Sequence, residues 1–283
     1  GALVLTLLLI ATLIGKKTGT IWDVPLELTW VSIVSHALLL QDFYATGSIN
    51  YVFWSIAVEW QIYFLFPLLV LGFRRLGSLQ VVGLALLIGY ALRIGFAHTR
   101  IARANPHFVG MFSLGMLAAY VAQADREPFK RWRYGFPWAA VGSVAFVTAV
   151  ALAMYWGFRS AIHSFYWLDM PVGIFATCLL VLTSRLPQSR LRSVFAFKPL
   201  AFVGTFSYSV YLLHAPLLQL MWQYVLSPLG LAPEAMFSVL LSFGLLAVLG
   251  CAYLFFLVLE KPFMSSASGS GHAAGPPIPK AAS

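Results

Sequence analysis

The chain alternates between long apolar runs and short polar breaks, and the breaks hold most of its charge. Runs at Val52–Phe73, Leu79–Ala97, Phe108–Val121, Phe136–Tyr155, Trp167–Leu182, Leu200–Val225 and Met236–Leu259 predict membrane-crossing helices. The physical reason is length: about 20 apolar residues rising 1.5 Å each match the hydrocarbon core of a bilayer. The opening run, GALVLTLLLIATLIG, is about 14 residues and falls short of that. Val24–Tyr44 breaks the pattern, since it carries Glu27, Ser32, Ser35, His36, Gln41 and Asp42, and it predicts an amphipathic, half-buried helix. The expected fold is all-α, a polytopic transmembrane bundle of about eight or nine helices over residues 1–264. Residues 265–283 are small, polar and proline-rich, the composition of a disordered tail.

Composition excludes a soluble domain. Hydrophobic residues make up 60% and charged residues 10% of the 283, against about 45–50% and about 25% in globular proteins. A core of this size could not hide that excess, so it faces lipid. The 18 basic residues outnumber the 9 acidic ones. They sit in short clusters between runs, which fits anionic headgroups and membrane topology rather than nucleic acid. Arg74/Arg75, then Arg126, Lys130, Arg131 and Arg133, then Arg185, Arg190, Arg192 and Lys198, then Lys261 and Lys280 fall on one side. By the positive-inside rule that side is cytoplasmic and holds the C-terminus. Arg100, Arg103 and Arg159 fall on the other side. If Val24–Tyr44 spans the membrane, Lys16 and Lys17 are cytoplasmic; if it only dips, they are external. Cys178 and Cys251 lie inside apolar runs and read as small buried hydrophobes.

Ionisable groups at membrane depth cost about 2.5–3.5 kcal/mol each and are normally turned inward for a purpose. Ser55, Glu59 and Tyr63 are spaced i, i+4, i+8 and share one helix face, with Glu59 roughly 10 Å into its run. A carboxylate there can act as a general base, orient a histidine or hydrogen-bond a neighbouring helix. Ser207, Tyr211 and His214 share a face of a later run, and an imidazole suits proton transfer. Pro216 predicts a kink just after it. His36 lies in the half-buried segment with Asp42 and Tyr44, in a spacing that implies no dyad. Arg93 lies near a helix end, where anion binding and snorkelling to headgroups explain it equally. Arg159, His163 and Asp169 read as an ordinary external loop. There is no P-loop, no H-E-x-x-H and no Cys/His metal spacing. A transporter with Glu59, His214 and Arg93 along a pathway is the alternative from residues alone.

Four stretches carry a resemblance. The run FWSIAVEWQIYFLFPLL (Phe53–Leu69) resembles the W-S-[LI]-x-x-E-x-x-[FY]-Y-x-x-F-P signature of the membrane-bound acyltransferase 3 family. HFVGMFSLGMLAAY (His107–Tyr120), FSYSVYLLHAPLL (Phe206–Leu218) and LEKPF (Leu259–Phe263) resemble further segments of that family in the same order. The resemblance implies a bundle of about ten helices with both ends cytoplasmic, of which two would precede Gly1, and it favours a dip for Val24–Tyr44. It implies transfer of an acyl group, most often acetyl from acetyl-CoA, to a hydroxyl of a saccharide, lipid-linked glycan or related extracytoplasmic acceptor. No bound cofactor or metal is implied; the acyl-CoA is a substrate. The family's histidine and preceding arginine in its first helix, and its R-x-x-R loop, have no counterpart here. The sequence therefore reads as an N-terminal truncation, and residues 1–283 alone are expected to be inactive. The residues carried over are Trp54, Ser55, Glu59, Tyr63, Ser207, Tyr208, Tyr211, His214 and Glu260. The resemblance implies that a histidine on the missing helix deprotonates the acceptor hydroxyl, which attacks the thioester carbonyl. It also implies that Glu59 and His214, the catalytic residues expected in this sequence, shape or charge-tune the cavity. Trp54, Ser55, Tyr63, Ser207, Tyr211, Arg93 and His36 are the expected substrate-binding residues. The implied setting is a bacterial inner membrane.

Overall fold

The computed structural model describes residues 1–14, 28–44, 49–123, 127–185 and 190–268. Those residues form helices and turns, with no strand among them. In chain order the helices that matter are α1 (Ala2–Thr12), α2 (Trp30–Ala37), α3 (Gln41–Tyr44), α4 (Phe53–Arg75) and α5 (Ser78–Gly95). They continue as α6 (Phe108–Gln123), α7 (Phe129–Gly135), α8 (Trp138–Gly157), α9 (Phe165–Arg185), α10 (Lys198–Gly204), α11 (Ser207–Leu229) and α12 (Pro233–Met264). Five of them, α4, α5, α8, α9 and α12, are long and apolar enough to cross a membrane, and α10 with α11 adds a sixth bent by 73°. Sequence pattern predicts eight or nine apolar helices; the difference is one of length. α1 has 11 residues and α6 has 16. The run expected to cross over Leu200–Val225, with a kink after His214 at Pro216, turns sharply between Gly204 and Ser207 instead. Pro216 lies inside helical backbone, one turn beyond Tyr211. Helix α2 starts where the Thr29 side chain accepts from the Ser32 amide at 3.1 Å. Within Val24–Tyr44 the described part is two short helices, and Glu27, like Lys16, Lys17 and most of the 265–283 tail, lies outside the described residues.

The chain divides into two compact units. The larger holds residues 27–47 and 53–198. Its core is Val82, Leu114, Leu117, Ala118, Val121, Trp138, Cys178 and Val181, from α5, α6, α8 and α9. Hydrophobic burial cannot drive helices together in lipid, so close approach and dispersion contacts do that work. A Cβ on Gly110 of α6 would lie 2.8 Å from the Leu86 Cα of α5, so only a glycine permits this crossing. Gly157, with φ +66°, breaks the helix between α8 and α9. The two limbs then run antiparallel, with Gly142 against Cys178 and Phe146 against Phe175. At the basic end of this hairpin Arg185 donates to the carbonyls of Arg133 and Tyr134, and Arg133 donates to Val121.

The smaller unit holds residues 1–26, 48–52 and 199–283. Phe206, Ala252 and Phe256 form its core, where α11 meets α12. Three π-helical turns, Trp222–Leu226, Leu240–Gly244 and Phe256–Glu260, interrupt these two helices. Such turns re-aim side chains and recur at functional sites.

Candidate active site

Polar groups gather at separate places in each unit. In the larger unit, Gln41 of α3 donates to the Phe53 carbonyl at 3.0 Å and fixes the start of α4. Two turns later Tyr63 donates its hydroxyl to the Glu59 carboxylate. That contact is the i, i+4 pair the spacing predicts. Both side chains are exposed on a helix apolar enough to span. A carboxylate at such depth is tolerated only against protein or an aqueous or ligand-filled space. Ser55 is half-buried one turn earlier.

His36 of α2 is fully buried and donates from Nδ1 to the Ser32 carbonyl at 2.8 Å. A carbonyl only accepts, so this contact fixes the tautomer and leaves Nε2 as the acceptor nitrogen. Burial pushes the imidazole below its ordinary value. Burial also raises the Asp42 carboxyl to about 6, and its Oδ2 has no hydrogen-bond partner. Asp42 and His36 make no dyad.

The third place in this unit was not legible in the sequence. His107, just ahead of α6, donates from Nε2 to Asp169 Oδ2 of α9 at 2.8 Å. Asp169, expected in an external loop, sits instead within helical backbone. Tyr90 of α5 stands 5.4 Å from the imidazole, centroid to centroid, and donates to the Tyr166 carbonyl at 2.7 Å. The Arg93 guanidinium lies 4.6 Å over the Tyr166 ring, a cation–π contact. Trp54 packs on Phe108 and Phe165, two of the rings beside His107. The only sequence signal was the histidine itself, at the head of an apolar run.

In the smaller unit His214 of α11 donates from Nδ1 to the Tyr211 carbonyl at 2.8 Å. Its Nε2 therefore carries the lone pair, and Tyr51 stands 3.5 Å from it as donor. Tyr211 donates to the Val52 carbonyl at 3.0 Å, and Asn50 donates to the Leu212 carbonyl at 3.0 Å. Residues 50–52 are thus stitched to the turn of α11 that carries His214. Asn50 was missed because asparagine in a polar break looks like any loop residue. Ser207, expected to line the site, is exposed and bonds its own backbone at Gly204. Ser209 is the buried serine, and it donates to Glu260 of α12 at 2.5 Å. Tyr208 is exposed.

Five described helices long and apolar enough to cross a bilayer define a multi-pass membrane protein. Residues 3–257 match the family model described as an acyltransferase domain, and the chain belongs to the acyltransferase 3 family. It is a membrane acyltransferase. No curated relative and no solved structure shows a significant match.

Proposed function

We propose that this protein transfers an acetyl group from acetyl-CoA to a hydroxyl of a saccharide, lipid-linked glycan or related acceptor outside a bacterial inner membrane, with its C-terminus cytoplasmic. The family match over residues 3–257 carries the reading. The tautomer of His214 supports it: with Nδ1–H held by the Tyr211 carbonyl, Nε2 is available to take a proton. In the reaction the acceptor O–H gives up its proton as its oxygen attacks the thioester carbonyl. The new C–O ester bond forms, the C–S bond breaks, and the CoA thiolate leaves and is protonated. Within this chain we assign that proton to Nε2 of His214. Glu59, with Tyr63 as its hydrogen-bond donor, lines its own unit. Trp54, Ser55, Tyr211, Arg93 and His36 shape the surroundings. Acyl-CoA and the acceptor are substrates, and no cofactor is required.

The test uses the full-length gene expressed in membranes and supplied with radiolabelled acetyl-CoA. Label should move to an external glycan in wild type and be lost in Glu59→Gln and His214→Ala at equal membrane insertion. Neither label transfer nor acetyl-CoA hydrolysis, in a protein that still moves a solute, would replace the enzyme with a transporter.

A further inference from the structure

The end of α5 and the starts of α6 and α9 come together on the side of the larger unit remote from Arg75 and Arg185. There they gather Arg93, His107, Tyr166, Trp167 and Asp169. His107 is completely buried, and the Asp169 side chain keeps about a quarter of its surface open (24%). Trp167, two residues from Asp169, is 44% exposed and packs its ring on Tyr90 and Tyr166.

A clamp between helices would explain one hydrogen bond but not what is left over. With Nε2–H committed to Asp169, Nδ1 of His107 is buried with no partner, and so is Nε of Arg93. An orphaned buried polar atom costs about 1–3 kcal/mol, and an apolar pair would tie the helices without that loss. Two such atoms, joined through the Tyr166 ring in one cluster with a part-open carboxylate, are the mark of a site rather than of a strut. We infer that Asp169, positioned by His107, binds a hydroxyl of the acceptor, with Trp167 as the flat apolar wall and Arg93 as the donor wall. This deepens the acyltransferase reading and rests on it for the identity of the ligand as acceptor.

The chemistry selects a neutral, hydroxyl-rich molecule. A carboxylate accepts from hydroxyls, a guanidinium donates to ring and hydroxyl oxygens, and an indole face packs on sugar C–H groups. A phosphate headgroup would gain Arg93 but meet the Asp169 charge, and an acyl tail has no use for either. By the charge pattern this end is extracytoplasmic, where such an acceptor lies.

The experiment uses full-length protein in nanodiscs. KM for acetyl-CoA and KM for a neutral oligosaccharide acceptor are measured separately, and tryptophan fluorescence is titrated with a panel of neutral hexose and N-acetylhexosamine oligosaccharides without donor. Asp169→Asn should raise the acceptor KM about tenfold or more with the donor KM unchanged. His107→Phe should do the same. His107→Gln, whose amide can still donate to the carboxylate, should recover most of the loss. Equal effects on both substrates, or a lowered melting temperature with the acceptor KM unmoved, would make the pair a helix clamp and overturn the proposal. If wild type transfers no acetyl group, the acyltransferase reading fails and fluorescence decides the site alone. A saccharide response that disappears in Asp169→Asn supports it, and no response to any sugar overturns it.

Discussion

Gly89 of α5 lies directly against the backbone of His107: a Cβ there would stand 2.8 Å from the Pro106 carbonyl oxygen and 2.9 Å from the His107 Cα. Backbone cannot swing aside as a flexible side chain can. Gly89→Ala must therefore push α5 away from the turn that aims the imidazole at Asp169. Overpacking of this kind costs about 1–3 kcal/mol. The expected outcome is a lower midpoint of thermal unfolding in detergent, whereas Gly83→Ala on the same helix, where the added carbon meets nothing, leaves it unchanged or raised.

Tyr63 reaches Glu59 from the same helix face and is exposed, so it holds the carboxylate rather than the fold. Tyr63→Phe keeps the ring and removes the donor. It should lower acyl transfer several-fold while membrane insertion and thermal midpoint stay near wild type. A matching fall in stability and activity would show the hydroxyl to be structural instead.

Ser209 is wholly buried and donates to Glu260 across the α11–α12 contact. Ser209→Ala removes the donor from the half-buried Glu260 carboxyl, a loss of about 1 kcal/mol. Ser209→Thr keeps the donor. Chemical unfolding in detergent should separate the two variants, with Ser209→Ala the less stable.

Asp42 and His36 give the larger unit a pH dependence of two opposite signs. The Asp42 carboxyl is raised to about 6 in the folded protein from 3.8, so the folded state binds the extra proton and stability falls as pH rises from about 4 through 6. Asp42→Asn should abolish that fall and leave the variant more stable than wild type at neutral pH. The His36 imidazole is held below its ordinary 6.5, so the unfolded chain binds the extra proton and stability falls as pH drops below 6.5. His36→Asn should remove that acid-side loss. Thermal midpoints of the three proteins between pH 4 and 8 check both signs.

Parts of the site were legible because helical geometry is local. Glu59 and Tyr63 at i, i+4 meet on one face, and His214 at the end of an aromatic run finds its Nδ1 partner three residues back at Tyr211. The position of Ser207 on that face was right as periodicity and uninformative as chemistry. Ser207 and Ser209 lie about 200° apart around a helix, and which of them is buried depends on where α12 packs. The 73° bend ahead of Ser207 likewise carries no local marker as strong as Pro216, which sits inside helical backbone.

The sequence by itself determined the solvent, the helical class and the family. Apolar content, run length and short motifs are properties of consecutive residues, and in a bilayer a backbone of that composition must satisfy its hydrogen bonds within helices. Only the tertiary structure decided that His107 and Asp169, 62 residues apart, are one group. It brought them together because Gly89 lets the His107 backbone touch α5 and Gly157 folds α9 back along α8. Such close approaches between distant segments depend on how helices pack. Periodicity along the chain shows which face each helix offers and leaves open what that face will meet.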